Sequence, residues 1–399
     1  MQVISIREKG MPVSGKQLLQ DVSLPALVLH QSALQHNLDW MQRYATEHGA
    51  ELAPHGKTTM TPALFQRQID AGAWGMTLAT ASQCVVAAQH GIRRILLANQ
   101  LVGGPNMQLV ADLLRADIEF YCLVDSVDNV HQLGRFFTER QLTLNVMLEV
   151  GVANGRCGCR NARQIAEVIA AIVGYDALSL SGIEGYEGVI SGHREQQEVA
   201  DFISMLVKTA LELKAAGQFA SERPIITASG SAWYDLVAEA FAREDARGAF
   251  ITLMRPGCYL VHDHGIYQQA QNALLQRHAE MHSALQPAME VFAYVQSVPE
   301  AGRVIAALGK RDIAHDSMPL PLRVYPQGQR QARNLNAGYR VIRLMDQHAF
   351  IEAPEDHQLV PGDIIAFGAS HPCLTFDKWR QLCVVDDNLQ VVETLPTFF

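Results

Sequence analysis

No apolar run in this chain is long enough to span a bilayer, so nothing points to a membrane protein. The N-terminal stretch MQVISIREKGMPVSGKQ lacks the basic-then-apolar layout of a secretion signal, and the expectation is a cytoplasmic protein. Basic charge is in deficit. The 32 Lys and Arg stand against 41 Asp and Glu, a formal net charge of −9, which argues against nucleic acid or an anionic membrane as the main partner. Cysteine is sparse and odd in number, 7 residues scattered along the chain, which speaks for reduced thiols and against a disulfide framework. Cys157 and Cys159 are neighbours, but no second pair completes a zinc spacing, and they read as packing or loop thiols. There is also no internal repeat, low-complexity tract or long linker.

What is present is an ordinary globular composition, 48% hydrophobic and 18% charged, over 399 residues. That length exceeds one compact core and suits a large domain with a smaller one. From about residue 51 to residue 255, short apolar runs alternate with longer amphipathic ones. The strand-like runs are ELAPHGK (51–57), GMTLAT (75–80), RILLAN (94–99), EFYCLV (119–124), NVMLEV (145–150), SLSGIEGYE (179–187), PIITAS (224–229) and AFITLM (249–254). TPALFQRQIDAG and PNMQLVADLLRA between them read as helices opened by Pro62 and Pro105. Eight strands alternating with helices predict a closed (β/α)8 barrel. An open doubly wound sheet is the alternative, lowered by the lack of a GxGxxG fingerprint after the first strand. Beyond about residue 270, strand-like segments follow one another without helices (MEVFAYVQSV, RVIAALG, GYRVIRLMDQHAFIEA, DIIAFGA, LQVVE), with LVPGD as a turn. The expected division is an N-terminal segment 1–30 joining a β domain, a barrel over 31–270 and a C-terminal β domain over 271–399.

A (β/α)8 barrel collects its chemistry at the C-terminal ends of its strands. Those ends carry His55 and Lys57, Thr80, Asn99, Arg156, Tyr186, the Ser229-Gly230-Ser231 turn, and Arg255 with Gly257. On a strand, His55 and Lys57 would face the same way. An inward lysine there reads as a Schiff-base lysine or, more plainly, as a surface residue where the strand has emptied into a loop. Ser229-Gly230-Ser231 reads either as an anion cradle at a helix start or as an ordinary tight turn with an N-cap. RPGCY (255–259) offers further donors, or a simple Pro-Gly turn. His371-Pro372-Cys373 can point two donors at one metal, although two protein ligands do not complete a site and chance pairs are common among 15 histidines.

Taken in order, LPALVLHQSALQHNLDWM, LAPHGKTTMTPAL, IDAGAWGMTLATASQCVVAAQHGIRRILLANQLVG, ASGSAWYD, PGCYLVHD, GKRDIAHDSMP and SHPCLTFDKW resemble the family of D-serine dehydratases and D-threonine aldolases. These are fold-type III pyridoxal-phosphate enzymes related to alanine racemase, and the resemblance covers nearly the whole chain. It implies that Lys57 carries the cofactor and shuttles the proton at Cα, with His55 in the cofactor-binding set. Arg156 would lie near the phenolic oxygen and Tyr186 near the pyridine nitrogen. Ser229, Gly230, Ser231, Gly257 and Tyr259 would hold the phosphate. His371 and Cys373 would hold a divalent metal, zinc by the softness of the thiolate, beside the substrate's β-hydroxyl. The resemblance also implies a homodimer. A His-x-Cys pair fits the dehydratase branch, which converts D-serine or D-threonine to a 2-oxo acid and ammonia. The alternatives are aldolase cleavage to glycine and an aldehyde, racemisation, and a non-catalytic pyridoxal-phosphate-binding protein. Two departures from the family pattern bear on pocket shape. Gly56 stands where a branched apolar residue is usual, and Thr59-Met60 where His-Lys often follows.

Overall fold

The computed structural model describes residue 9, residues 13–243 and residues 245–399. Most of the first twelve residues, on which the reading of the N-terminal stretch leans, lie outside the described part. The chain forms two compact units. One comprises residues 41–57 and 62–257, the other residues 1–40, 58–61 and 258–399.

The first described strand, β1 (Ala26–His30), belongs to the second unit. Eight strands then build the first unit: β2 (Glu51–Leu52), β3 (Met76–Leu78), β4 (Arg94–Gln100), β5 (Glu119–Val124), β6 (Leu144–Val150), β7 (Leu178–Gly185), β8 (Ile225–Ala228) and β9 (Ile251–Met254). Their order is β2-β9-β8-β7-β6-β5-β4-β3, every neighbouring pair parallel. A parallel bridge between His55 and Thr77, with the Thr77 N–H donating to Pro54 O at 2.9 Å, closes the ring. This is the (β/α)8 barrel expected, and the open doubly wound sheet is excluded. Both faces of each strand are covered, which is why the runs read as near-continuous Val, Ile and Leu. Ala53, Leu96, Leu123, Met147, Ile225 and Leu253 pack inside. The helices start where side chains satisfy their orphan N–H groups. Thr80 caps the helix Ala81–Gln89, Ser126 the helix Val127–Glu139, and Asn161 the helix Ala162–Val173.

The stretch read as one strand over 51–57 departs from that pattern. Pairing as a strand ends at Leu52, and Gly56–Thr58 wind into a short 3-10 turn. Pro54 has no N–H to give to a ladder. Lys57 therefore sits on a turn, and the two-residue alternation that aligned it with His55 does not apply. Gly56 is held there by sterics. A Cβ on it would stand 2.8 Å from Cζ of Phe65 and 3.1 Å from Cδ1 of Leu78, both fully buried.

The second unit is built on a ten-stranded sheet. After β1 it takes β10 (Met289–Glu300), β11 (Arg303–Ala306), β12 (Leu320–Tyr325), β13 (Arg333–Asn334), β14 (Arg340–Leu344), β15 (Ala349–Glu352), β16 (Ile364–Gly368), β17 (Gln381–Val385) and β18 (Val391–Pro396). The main path is β13-β12-β16-β10-β1-β17-β18, with β11, β15 and β14 branching from β10. The strand β1 pairs antiparallel with β10 and parallel with β17, so Leu27 and Leu29 are central to this sheet and fully buried. Val28, Phe292, Ala366, Cys383 and Val391 form the core on one face. The units divide the chain elsewhere than the sequence pattern does. The chain leaves the barrel unit after Gly257, and residues 258–270 and the helix Ile266–Arg277 cluster with the β strands, not with the barrel. An amphipathic helix directly after the last βα strand carries no sequence mark of which core it serves.

Replacing Gly56 by Val would force two methyl groups against the Phe65 ring. The expected cost is about 1–3 kcal/mol of stability, seen as a lower urea midpoint than wild type. An unchanged midpoint would show that the ring gives way freely.

Candidate functional site

In the barrel unit, one buried cation organises the strand ends. The Arg255 guanidinium is paired through Nη2 with Oε1 of Glu184 and donates through Nε to Oγ1 of Thr227 at 2.9 Å and through Nη2 to Gly185 O at 3.3 Å. Arg255 at the end of β9 thereby ties β7 and β8 to its own strand. Glu184 is 1% exposed, and its Oε2 has no hydrogen-bond partner among the described residues. Burial pushes the Glu184 carboxyl upward, opposed by Arg255 and, more weakly, by Arg156.

Around this pair stand the residues singled out by sequence. The Arg156 guanidinium lies 5.0 Å from the centre of the Tyr186 ring, a cation–π distance. Arg156 rides on a loop closed at its base. Gly151 N donates to Cys159 O at 3.0 Å, Cys159 N to Glu149 O at 2.8 Å, and Gly158 N to Oδ2 of Asp125 at 2.9 Å. Gly158 has φ +96°, and a Cβ there would strike the Gly151 backbone at 2.5 Å, so the loop needs that glycine. Burial lowers the pKa of His55 well below the usual histidine value, and the charges of Lys57, Arg255 and Arg156 lower it further. His55 is thus a neutral imidazole among three cations, and its buried Nδ1 has no hydrogen-bond partner among the described residues.

The Ser229-Gly230 turn already faces a carboxyl group of the protein itself. The Glu187 carboxylate, 0% exposed, accepts from Ser229 N at 3.1 Å and from Gly230 N at 2.5 Å. Ser229 pays for the geometry with φ +84°, a conformation L-residues rarely adopt. Gly230 is glycine because the Tyr186 ring is close: a Cβ would lie 3.1 Å from Cε2. The neighbouring Ser231 Oγ accepts from Gly257 N at 3.1 Å. The sequence reading of this turn as a cradle for phosphate therefore needs adjusting. Anion affinity is real, yet two of its N–H groups face Glu187, a partner 42 residues away that local spacing cannot reveal.

Glu149 is a further feature the sequence reading did not single out. It pairs in register with Glu184 on the adjacent strand and accepts from the Gln100 amide. Burial, then the Glu184 charge, raises its pKa to about 7. Asp125, Glu149 and Cys157 also bring ligand atoms within 4.8 Å of one another.

The other chemical cluster lies wholly in the β unit. His371 Nδ1 is 2.8 Å from Oδ2 of Asp316, whose Oδ1 accepts from Ser370 Oγ at 3.1 Å. A histidine held at Nδ1 by a carboxylate presents Nε2 outward, the second-sphere arrangement typical of metal-binding imidazoles. The Cys373 Sγ stands 3.8 Å from Sγ of Cys258 and 3.6 Å from Oγ1 of Thr58. The Cys258 thiol, and then His371 and Thr58, hold the Cys373 sulfur well below the ordinary thiol range, so a thiolate stands beside the imidazole. Cys373 and Asp316 in turn raise the pKa of His371 to about 9. A divalent metal would displace that proton, and the donor set fits one. Tyr259, also in this unit, is 1% exposed. Asp316, Cys258 and Thr58 were not picked out from sequence. The DSMP of GKRDIAHDSMP and the PGCY segment were the available signals.

A parallel (β/α)8 barrel with a lysine turn, clustered arginines at its strand ends and a β unit in the same chain defines the class of fold-type III pyridoxal-phosphate enzymes. Residues 29–264 match the family described as alanine racemase, N-terminal domain, and residues 288–385 the putative serine dehydratase domain. The chain belongs to the alanine racemase N-terminal domain family, in the arrangement shared by D-threonine aldolases and D-3-hydroxyaspartate dehydratases, a family of pyridoxal-phosphate lyases. It is 24% identical to a D-threonine aldolase from Arthrobacter sp over 374 residues, 93% of this chain and 91% of the relative. Among solved structures, D-threonine aldolase from Filomicrobium marinum superposes with a TM-score of 0.80 at 22% identity, covering 96% of this chain and 97% of that one. D-threo-3-hydroxyaspartate dehydratase from Delftia sp. HT23 gives 0.77 at 19% identity, covering 96% and 99%. That dehydratase has also been solved with a cysteine changed to alanine, in a metal-free form, and with a histidine two positions earlier changed to alanine. No helix among the described residues is long and apolar enough to cross a membrane.

Two outcomes follow from this geometry. Glu187→Ala would leave the N–H groups of Ser229 and Gly230 without their carboxylate, at about 1–3 kcal/mol for each group left buried and unpaired. Thermal unfolding should occur several degrees lower, and an unaltered transition would mean water replaces the carboxylate at no cost. Glu149 titrates near 7 in the folded chain but in the ordinary carboxylate range when unfolded. Its folded pKa is raised, so its contribution to stability is complete at low pH and is lost as pH rises through 7. The urea midpoint of Glu149→Gln should therefore gain on wild type between pH 5 and pH 8; a constant difference would remove the titration from Glu149.

Proposed function

We propose that this protein is a lyase of D-3-hydroxy amino acids that cleaves the bond between Cα and Cβ. In this reading it uses pyridoxal phosphate on Lys57 and a divalent metal, zinc by the nature of the donors, on His371 and Cys373. The observation that carries the choice of bond is the chain-long likeness to a curated D-threonine aldolase, covering 93% of this chain. A 3-hydroxy-D-aspartate aldolase from Paracoccus denitrificans matches over 54% of it.

The barrel's residues suit the cofactor. Neutral His55, its Nδ1 without a hydrogen-bond partner among the described residues, stands among Lys57, Arg255 and Arg156, a surface that would accept an anion. Pyridoxal phosphate, when bound, supplies an electron sink at Cα. Arg156 would hold its phenolic oxygen. The Tyr186 hydroxyl would serve its ring nitrogen, a weaker partner for a pyridinium than a carboxylate. Ser231, Gly257 and Tyr259 would carry its phosphate, with the backbone of Ser229 and Gly230 held in place by Glu187. Lys57, once released as an amine, would hold the proton that is delivered to Cα as glycine forms. A metal on His371 and Cys373 would act as Lewis acid on the β-oxygen, easing loss of its proton as the aldehyde departs.

A second reading has a specific observation in its favour. The His-x-Cys spacing of His371 and Cys373 is also the spacing of the residues changed in the structures of D-threo-3-hydroxyaspartate dehydratase, one of them metal-free. On that reading Lys57 would remove the Cα proton, His371 and Cys373 would hold a metal whose Lewis acidity eases departure of the β-hydroxyl as water, and hydrolysis would give a 2-oxo acid and ammonia. The sequence reading ranked this elimination first; the curated relatives support the aldol cleavage better. A non-catalytic binding role is disfavoured by the β unit with its oriented histidine. We further propose, on the family likeness alone, that the chain works as a cytoplasmic homodimer.

The test is direct. Purified protein with pyridoxal phosphate and zinc is given D-threonine and D-serine. Glycine and acetaldehyde, formed without ammonia and lost on chelation, would support the aldol reading. Ammonia with 2-oxobutyrate or pyruvate would move the protein to elimination. In either case Lys57→Ala should remove the cofactor's visible absorption and lower activity by about 10²–10⁴-fold. Activity and absorption persisting in that variant would sink both readings.

A further inference from the structure

We propose that Cys258 is a third protein ligand of the metal, completing a set of two cysteines and one histidine with Cys373 and His371. The inference rests on the metal reading above and extends it to a residue that the sequence pattern placed only in a Pro-Gly turn.

The argument begins with a distance. The sulfurs of Cys258 and Cys373 are 3.8 Å apart. A disulfide would need about 2.0 Å. Two thiolates bound to one tetrahedral zinc, each at about 2.3 Å, stand about 3.8 Å apart along the edge of the tetrahedron. The observed spacing, at which the Cys258 thiol can donate to the Cys373 sulfur, is also the spacing that a shared ion would need.

The surroundings are consistent with this use. Cys258 is 3% exposed, and its carbonyl accepts from His262 N at 2.8 Å, which fixes the backbone that presents the sulfur. Thr58 Oγ1 lies 3.7 Å from the Cys258 sulfur and 3.6 Å from that of Cys373, close enough for one hydroxyl to donate to either. Asp316 fixes His371 through Nδ1, which leaves Nε2 as the ligating atom. Once the His371 ring closes on the two sulfurs, two thiolates and one imidazole would fill three tetrahedral positions and leave the fourth for a substrate oxygen, the pattern of catalytic rather than structural zinc. A second thiolate also sets the metal's identity, because two soft donors favour zinc or cobalt(II) over magnesium or manganese(II).

The experiment uses full-length protein and the metals alone. X-ray absorption at the zinc edge of the wild-type protein counts sulfur neighbours directly, without any variant. Two sulfurs are expected, and one would overturn the proposal. In the cobalt(II)-loaded protein, the sulfur-to-metal charge-transfer absorption should fall by about half in Cys258→Ser, as expected when one of two thiolates is lost. Zinc affinity should weaken at least tenfold by chelator competition. Cys373→Ser should behave alike. Full absorption and affinity in Cys258→Ser, with losses confined to Cys373→Ser and His371→Ala, would overturn the role of Cys258 and leave the metal pair standing. Metal binding untouched by all three changes, and lost instead in Asp125→Asn, would place the ion at Asp125, Glu149 and Cys157 and remove the metal reading itself.

Discussion

The barrel's chemistry hangs on one buried ion pair, Arg255 with Glu184. From the end of β9 the guanidinium reaches Glu184 and the Gly185 carbonyl on β7 and the Thr227 hydroxyl on β8. Each functional residue of that arc follows within a few positions: Tyr186 and Glu187 after β7, Ser229 to Ser231 after β8, Gly257 after β9. Desolvating two charges is costly, and a well-packed apolar pair in their place could match the stability. What the ion pair supplies is position. Removing either partner would strand the other at 1% or 5% exposure and free three strand ends together.

The same economy of carboxylates explains the turn after β8. Two converging backbone N–H groups attract an anion, and Glu187 meets them from the preceding strand's end. The turn is thereby rigid before any ligand arrives. Burial raises the pKa of Glu187 while the N–H groups of Gly230 and Ser229 lower it, so the turn and the charge sustain each other.

The architecture was largely legible in the sequence because it is written in local period. EFYCLV, RILLAN and NVMLEV predict strands whose observed bounds match to within a residue, and eight of them with helices between allow one closed form. The segment 51–57 misled because Pro54, with no N–H for a ladder, ends the pairing, and Gly56 turns where the Phe65 ring leaves no room for a Cβ. The strands Leu320–Tyr325 and Gln381–Val385 were passed over although turn residues follow both, Pro326-Gln327-Gly328 and Asp386-Asp387-Asn388; Pro321 breaks the strand pattern of the first. Site residues with a motif of their own, Lys57, Arg156, His371 and Cys373, could be found by resemblance. Their partners could not. Asp316 meets His371 across 55 residues and Cys258 meets Cys373 across 115, and nothing in local spacing encodes such pairs.

Charge at the barrel's strand ends bears on what the site can hold. Three carboxyl groups stand there in three environments. Glu184 is matched to Arg255, Glu187 to two N–H groups, and Glu149, the neighbour of Glu184 in register, is pushed up to about 7 by burial and then by the Glu184 charge. Environments that separate the pKa values of paired acids are how one site keeps a proton and a charge side by side. Lys57, Arg255 and Arg156 gather around His55 and, after burial, each lowers its pKa. A phosphate-bearing cofactor and the carboxylate of an amino-acid substrate are anions that such a group of cations would attract.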